Sequence, residues 1–68
     1  GYWNIDSVTQ SVLDKLKSQA GYMEVTDKSS PDTIKHIFGI SKKSFKKAIG
    51  SLYKQKIIVI EDKGIRLV

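Results

Sequence analysis

The stretch SSPDTIKHIFGISKKSFKKAIGSLYK, from Ser29 to Lys54, constrains the fold more than any other part of the chain. Ser30 offers a side-chain oxygen to the open amides of a helix start. Pro31 suits the first helical position because its missing N–H would have no partner there, and Asp32 complements the positive helix end. Ile34, Ile37 and Phe38 then face one way, and Gly39 supplies the left-handed residue that ends such a helix. Only Gly39 and Ile40 separate that stop from the next cap, Ser41, after which a second helical pattern runs from Lys42 to about Gln55. Two helices joined by so tight a glycine-containing turn carry the helix-turn-helix signature.

The flanking segments extend this unit. Val8, Val12, Leu13 and Leu16 recur at helical spacing after Asp6 or Ser7, either of which can cap, so a first helix is expected to end near Ser18, with Gly21 closing it. Residues 22–25 read as a short extended segment and 26–29 as a turn. Residues 57–61 and 65–68 flank Asp62, Lys63 and Gly64 in a hairpin pattern. Strand alternation sends Ile58, Ile60, Ile65 and Leu67 to one side and leaves Ile57 and Val59 pointing away. The predicted order of helix, short strand, helix, turn, helix and hairpin is that of an α+β winged helix-turn-helix, three helices with a small antiparallel sheet. No repeat, low-complexity tract or internal linker divides residues 1–68, so a single domain is expected.

Sixty-eight residues suffice for one thin core and are too few for a catalytic cleft between lobes, which favours a binding module. There is no cysteine to staple the core or to ligate a metal with the lone His36, and a cytoplasmic home fits that composition. The longest aliphatic run, Ile57 to Ile60, is far below the roughly 20 residues of a membrane span. A structured-looking segment follows Gly1 directly, so the chain is expected to be a piece of a longer protein. His36 has Lys35 beside it and no spacing that builds a triad or a paired-carboxylate site, so no catalytic residue, metal or cofactor is assigned.

Twelve basic against seven acidic residues give a net charge of +5, unevenly placed. No acid lies between Asp32 and Glu61, whereas seven lysines do: Lys35, Lys42, Lys43, Lys46, Lys47, Lys54 and Lys56. At about 100° per residue, Phe45, Ala48, Ile49 and Leu52 share one face of the third helix, with Tyr53 at its border. Lys43, Lys47, Gly50 and Lys54 lie nearly opposite, with Lys46 and Ser51 on the flanks. A merely solvated face is the ordinary explanation of such lysines. Three features count against it here. No acid provides the i,i+4 partners of an inert surface helix. Lys42 and Lys43 occupy the first turn, where the helix dipole disfavours cations. Gly50 in mid-helix costs about 1 kcal/mol relative to alanine, and its missing side chain admits a close backbone, whether of a nucleic acid or of another protein element.

Residue type then sets the kind of contact. The bidentate base readers are arginine, asparagine and glutamine, but the stripe offers lysine and serine, with Gln55 only at its edge. Lysine is a point charge suited to phosphate. The expected partner is nucleic acid held with low sequence preference through Lys42, Lys43, Lys46, Lys47 and Lys54. Lys63 in the hairpin turn and Arg66 on the following strand are candidates for a wing contact, with Glu61 and Asp62 lowering the local field. Met23 and the three tyrosines read as core or border residues; packing is the favoured role of Tyr53 too, but beside the lysine stripe it is the one to test for base stacking.

Three motifs carry a resemblance: DKSSP at 27–31, FGISKKSFKKAIGSLYK at 38–54 and GI-x-L at 64–67. On these, about two thirds of the chain resembles the C-terminal winged-helix domain of the conserved virulence factor B family. That resemblance implies a bacterial RNA-binding regulator of virulence-gene expression, with S1-type OB domains upstream, and makes this chain a C-terminal fragment. RNA is thereby favoured over DNA. The major groove of A-form RNA is too deep and narrow for a helix, so single strands or a backbone track are the expected ligand.

Two rivals stand beside this reading. One is an interdomain or protein-docking module using Ile57, Val59, Tyr2 and Trp3; the other is a DNA-binding transcription-factor domain. A membrane partner ranks below both, because the core claims the helix's apolar face. Oligomeric state is left open.

Overall fold

The computed structural model describes residues 5–68, so the expectations placed on Tyr2 and Trp3 lie outside the described residues. Helix α1 spans Ser7–Ser18, strand β1 Tyr22–Met23, helix α2 Pro31–Phe38, helix α3 Lys42–Lys54, strand β2 Ile58–Ile60 and strand β3 Ile65–Leu67. The strands form one antiparallel sheet in the order β1-β3-β2. The winged helix-turn-helix expected from the sequence is therefore the fold.

Each helix begins on the cap its sequence provides. Of the two candidates for α1 it is Asp6, whose carboxylate accepts from the Thr9 amide at 2.7 Å. Ser30 accepts from the amide of Thr33 and Ser41 from that of Ser44, both at 3.1 Å. Gly39 sits at φ +71° and donates its amide to the Lys35 carbonyl, ending α2 in the left-handed conformation that L side chains resist. Across the turn that follows, the rings of Phe38 and Phe45 meet with centroids 5.0 Å apart, which ties α2 to α3.

The DKSSP segment has a local structural role. Thr26, although buried, has partners throughout: its amide donates to Ser29 Oγ and its hydroxyl accepts from the Lys28 amide, each at 3.0 Å. The turn thus delivers the chain to the Ser30 cap with no buried polar group left over among the described residues.

The core is one cluster: Val12, Leu13 and Leu16 of α1, Val25, Ile34 of α2, Phe45, Ala48, Ile49 and Leu52 of α3, and Ile58 and Ile65 of the sheet, each at most 2% exposed. The α3 face read by angle is the buried one, and α1 is its main neighbour.

The end of α3 departs from the sequence expectation. The Lys56 amide donates to the Tyr53 carbonyl and the Ile57 amide to the Leu52 carbonyl, with Lys56 at φ +60°. This is a Schellman closure carrying lysine where glycine is usual; Ala20 adopts the same φ after α1. The closure turns Ile57 back onto the core instead of away from it, and β2 begins only at Ile58. Ile60, expected inside, is 39% exposed like Val59. Strand alternation failed here because β2 is three residues long and its tip is already leaving the core for the hairpin turn.

At that turn Glu61 donates its amide to the Gly64 carbonyl at 2.7 Å. A Cβ on Gly64 would collide with the Met23 carbonyl oxygen and the Tyr22 ring, so the hairpin can lie against β1 only with glycine there. Gly64→Ala should therefore destabilise the fold by about 1–3 kcal/mol, as overpacking against backbone does. Lys56→Gly should act oppositely, gaining about 1 kcal/mol by relieving the left-handed lysine. Urea titrations of the two variants beside wild type check both signs.

Candidate nucleic-acid interface

Helix α3 presents its outward surface because its inward one is consumed. Along it, Lys46, Lys47, Gly50, Ser51, Lys54 and Gln55 line an open groove of about 480 Å³. Lys43, Lys46, Lys47 and Lys54 are exposed, whereas Lys42 at the first turn is half-buried. Among the described residues no carboxylate forms a salt bridge with a lysine of α3. Gly50 forms the floor, and nothing lies within 4 Å of where its Cβ would stand. No other element of this fold uses the clearance. The remaining amide side chain of the groove is turned inward on the helix, Gln55 donating from Nε2 to Ser51 Oγ at 3.1 Å. What the groove offers a ligand is positive charge and a close approach, with little hydrogen-bond discrimination.

One acid does lie near. Asp6, at the start of α1, shares a shallow depression with Lys47. Its carboxyl is held below the usual carboxylate range, first by the Thr9 amide and hydroxyl hydrogen bonds and to a lesser degree by the charge of Lys47. The pair does not close into a salt bridge, so Lys47 keeps its charge available at the groove.

The hairpin behaves differently. Arg66 Nε donates to Glu61 Oε2 at 2.9 Å, and its guanidinium carbon lies 4.4 Å from the centroid of the Tyr22 ring. Glu61 raises the Arg66 pKa above its ordinary value, by the hydrogen bond first and by charge second. Asp62 pairs with Lys28 at 3.7 Å. The wing therefore neutralises most of its own charge: Arg66 is bound to the sheet surface, and Lys63 is the wing cation without an ion-pair partner among the described residues.

A second groove, of about 360 Å³, opens beyond Lys54 and is lined by Tyr53, Lys54, Lys56, Ile58, Val59 and Val68. The helical angles placed Tyr53 at the border of the stripe. They carried no sign that Lys56 would join it, because Lys56 arrives there through the left-handed closure after α3. A lysine two residues past a helix, with no glycine nearby to take the closing position, is the signal that was present. His36 is exposed, and no group of acidic or histidine side chains among the described residues could hold a metal ion. No helix is long and apolar enough to cross a membrane.

Fold and surface together define a winged-helix domain with a cationic third helix. Residues 10–67 match the CvfB-like winged helix domain, and the chain belongs to that family. Conserved virulence factor B of Staphylococcus saprophyticus is 51% identical over 63 residues, covering 93% of this chain and 21% of that protein; the proteins of Staphylococcus epidermidis and Staphylococcus aureus match to the same extent. The chain thus spans about a fifth of the length of the curated relatives it matches. A solved structure from Streptococcus pneumoniae, described as a multidomain protein with nucleic acid binding domains, superposes with a TM-score of 0.90 at 45% identity, over 94% of this chain and 22% of that one.

The Asp6 cap gives a pH test. A depressed folded-state pKa means that the cap's contribution is present above the unfolded carboxyl value and is lost as pH falls through the folded one. In a carboxyl-detected NMR titration, Asp6 should titrate below an ordinary aspartate. Lys47→Gln should move its midpoint upward without abolishing the depression, since the Thr9 hydrogen bonds remain.

Proposed function

We propose that this domain is a nucleic-acid-binding module whose ligand is RNA, gripped with low sequence preference by phosphate contacts from Lys43, Lys46, Lys47 and Lys54. The observation that carries the reading is the α3 groove, where cations without carboxylate partners surround an open glycine. Lys63, and to a lesser extent Lys42, extend the positive surface; Arg66 contributes only if it leaves Glu61. The Streptococcus pneumoniae neighbour, with its nucleic acid binding domains, supports the ligand class. The name borne by the Staphylococcus relatives supports a part in virulence; we take that part to be regulation of virulence genes through RNA in the cytoplasm.

Bases are not read at this groove, because among the described residues it is lined by no arginine or asparagine and its glutamine is turned to Ser51. The reading assigns the chain no catalytic residue or cofactor. The relatives extend well beyond the matched segment, and we take S1-type OB domains as the partners that supply base stacking in the full-length protein. Tethering then raises the effective concentration of each weak contact.

The test is binding of single-stranded RNA by fluorescence anisotropy across a salt series. With about four lysines on phosphate, log K should fall on log salt with a slope near −3. Lys46→Gln, Lys47→Gln and Lys54→Gln should each lower the slope by about 0.7 and weaken binding alike on unrelated sequences. Gly50→Gln should fold at least as stably as wild type, since the site is open and glycine is the poorer helix former by about 1 kcal/mol, yet bind more weakly by filling the groove. A salt-independent affinity, or an unimpaired Gly50→Gln, would sink the proposal.

A further inference from the structure

The second groove shares Lys54 with the first, so the two adjoin at the end of α3. Their chemistry differs. Beyond Lys54 the lining turns apolar: Tyr53 is 55% exposed, Val59 39% and Val68 77%. Among the described residues the Tyr53 ring has no aromatic or cationic partner, unlike Tyr22, which carries Arg66. Two cations line the same groove, Lys54 on the last turn of α3 and Lys56 in the closure. No acidic side chain lines either groove. Lys56 keeps its charge at a backbone position where glycine would fit best.

A groove lined by an exposed ring, aliphatic side chains and two ammonium groups matches a nucleotide unit: a flat apolar base flanked by two phosphates. We propose that the groove walled by Tyr53 and Lys56 is a nucleobase subsite, in which one unstacked base of a single-stranded RNA lies against the Tyr53 ring while its neighbouring phosphates reach Lys54 and Lys56. The inference rests on α3 being the phosphate track, and it adds a preference for single strands, because a base paired in a duplex cannot present its face to the ring. Stacking is tolerant of base identity, so the subsite adds affinity without a sequence code.

The experiment compares two fluorescein-labelled probes of equal length at low salt, an oligoadenylate and an abasic ribose-phosphate oligomer, against the 68-residue chain. Tyr53→Leu keeps an apolar side chain and removes the ring; Tyr53→Phe keeps the ring. The subsite requires Tyr53→Leu to lose about fivefold or more on oligoadenylate, Tyr53→Phe to bind it nearly as wild type, and all three to bind the abasic oligomer equally. Lys56→Gly should lose affinity for oligoadenylate while unfolding at a higher temperature than wild type, which separates contact from stability. The double variant Lys46→Gln/Lys47→Gln must weaken both probes.

If the double variant weakens both probes but Tyr53→Leu binds oligoadenylate as wild type does, the subsite is overturned and the phosphate track stands. If the double variant binds as wild type, or neither probe binds, the track is overturned and the subsite with it. Self-association of the chain that Tyr53→Leu abolishes, with RNA affinity unchanged, assigns the groove to a protein contact and overturns the subsite.

Discussion

The packing of Phe45, Ala48, Ile49 and Leu52 against the first helix and the sheet sets the rotation of α3 about its axis, and with it the direction of every cation the helix carries. None of these four side chains is more than 2% exposed. Turning the helix by even one residue would withdraw apolar groups from the core and bring lysine into it, each a loss of order 1 kcal/mol or more. The Ser41 cap and the contact of Phe38 with Phe45 across the turn hold the same phase from the other end. The outward lysine stripe is thus a by-product of core formation.

Charge is handled in opposite ways at the two ends of the domain. On the hairpin each acid meets a base, Glu61 pairing with Arg66 of the same hairpin and Asp62 with Lys28 of the turn before α2. On α3 there is no acid in the local sequence to pair with, and the acid the fold brings near Lys47, Asp6, is already occupied by its own helix cap. A surface whose cations lack partners has counterions to release, the ordinary source of sequence-independent affinity for a polyanion. A helix is poorly suited to the deep groove of A-form duplexes, and on the proposed reading the open surface at Gly50 is where a flexible single-stranded backbone would be laid.

The helices were legible because each carries its start and stop in a few residues. Ser30-Pro31-Asp32, Gly39 and Ser41 act locally, and local hydrogen bonds decide them. The buried face of α3 followed from periodicity alone. The sheet was legible in its order of elements and in the inward facing of Ile58, Ile65 and Leu67, but not at Ile57 and Ile60, because β2 is three residues long and alternation needs a known starting point. That point depends on how the chain leaves α3, which the left-handed Lys56 determines, and nothing in the strand's own residues reports it. The pairing of Arg66 was hidden for a related reason: its partners Glu61 and Tyr22 are set by hairpin closure and by the β1–β3 register, both tertiary. The groove at Tyr53 combines residues from α3, its closure, β2 and the stretch after β3, so no single window of sequence displays it.

Gly50 bears on how much of α3 belongs to α3 itself. Two lysines in its opening turn and a glycine at its centre leave Lys42–Lys54 with weak intrinsic helicity, and a free segment of 13 residues is marginal in water even with good formers. Its shape is lent to it by the core. The docking surface accordingly exists only while the whole domain is folded, so partial melting of α1 would dissolve it into a mobile polycation with charge but no contour.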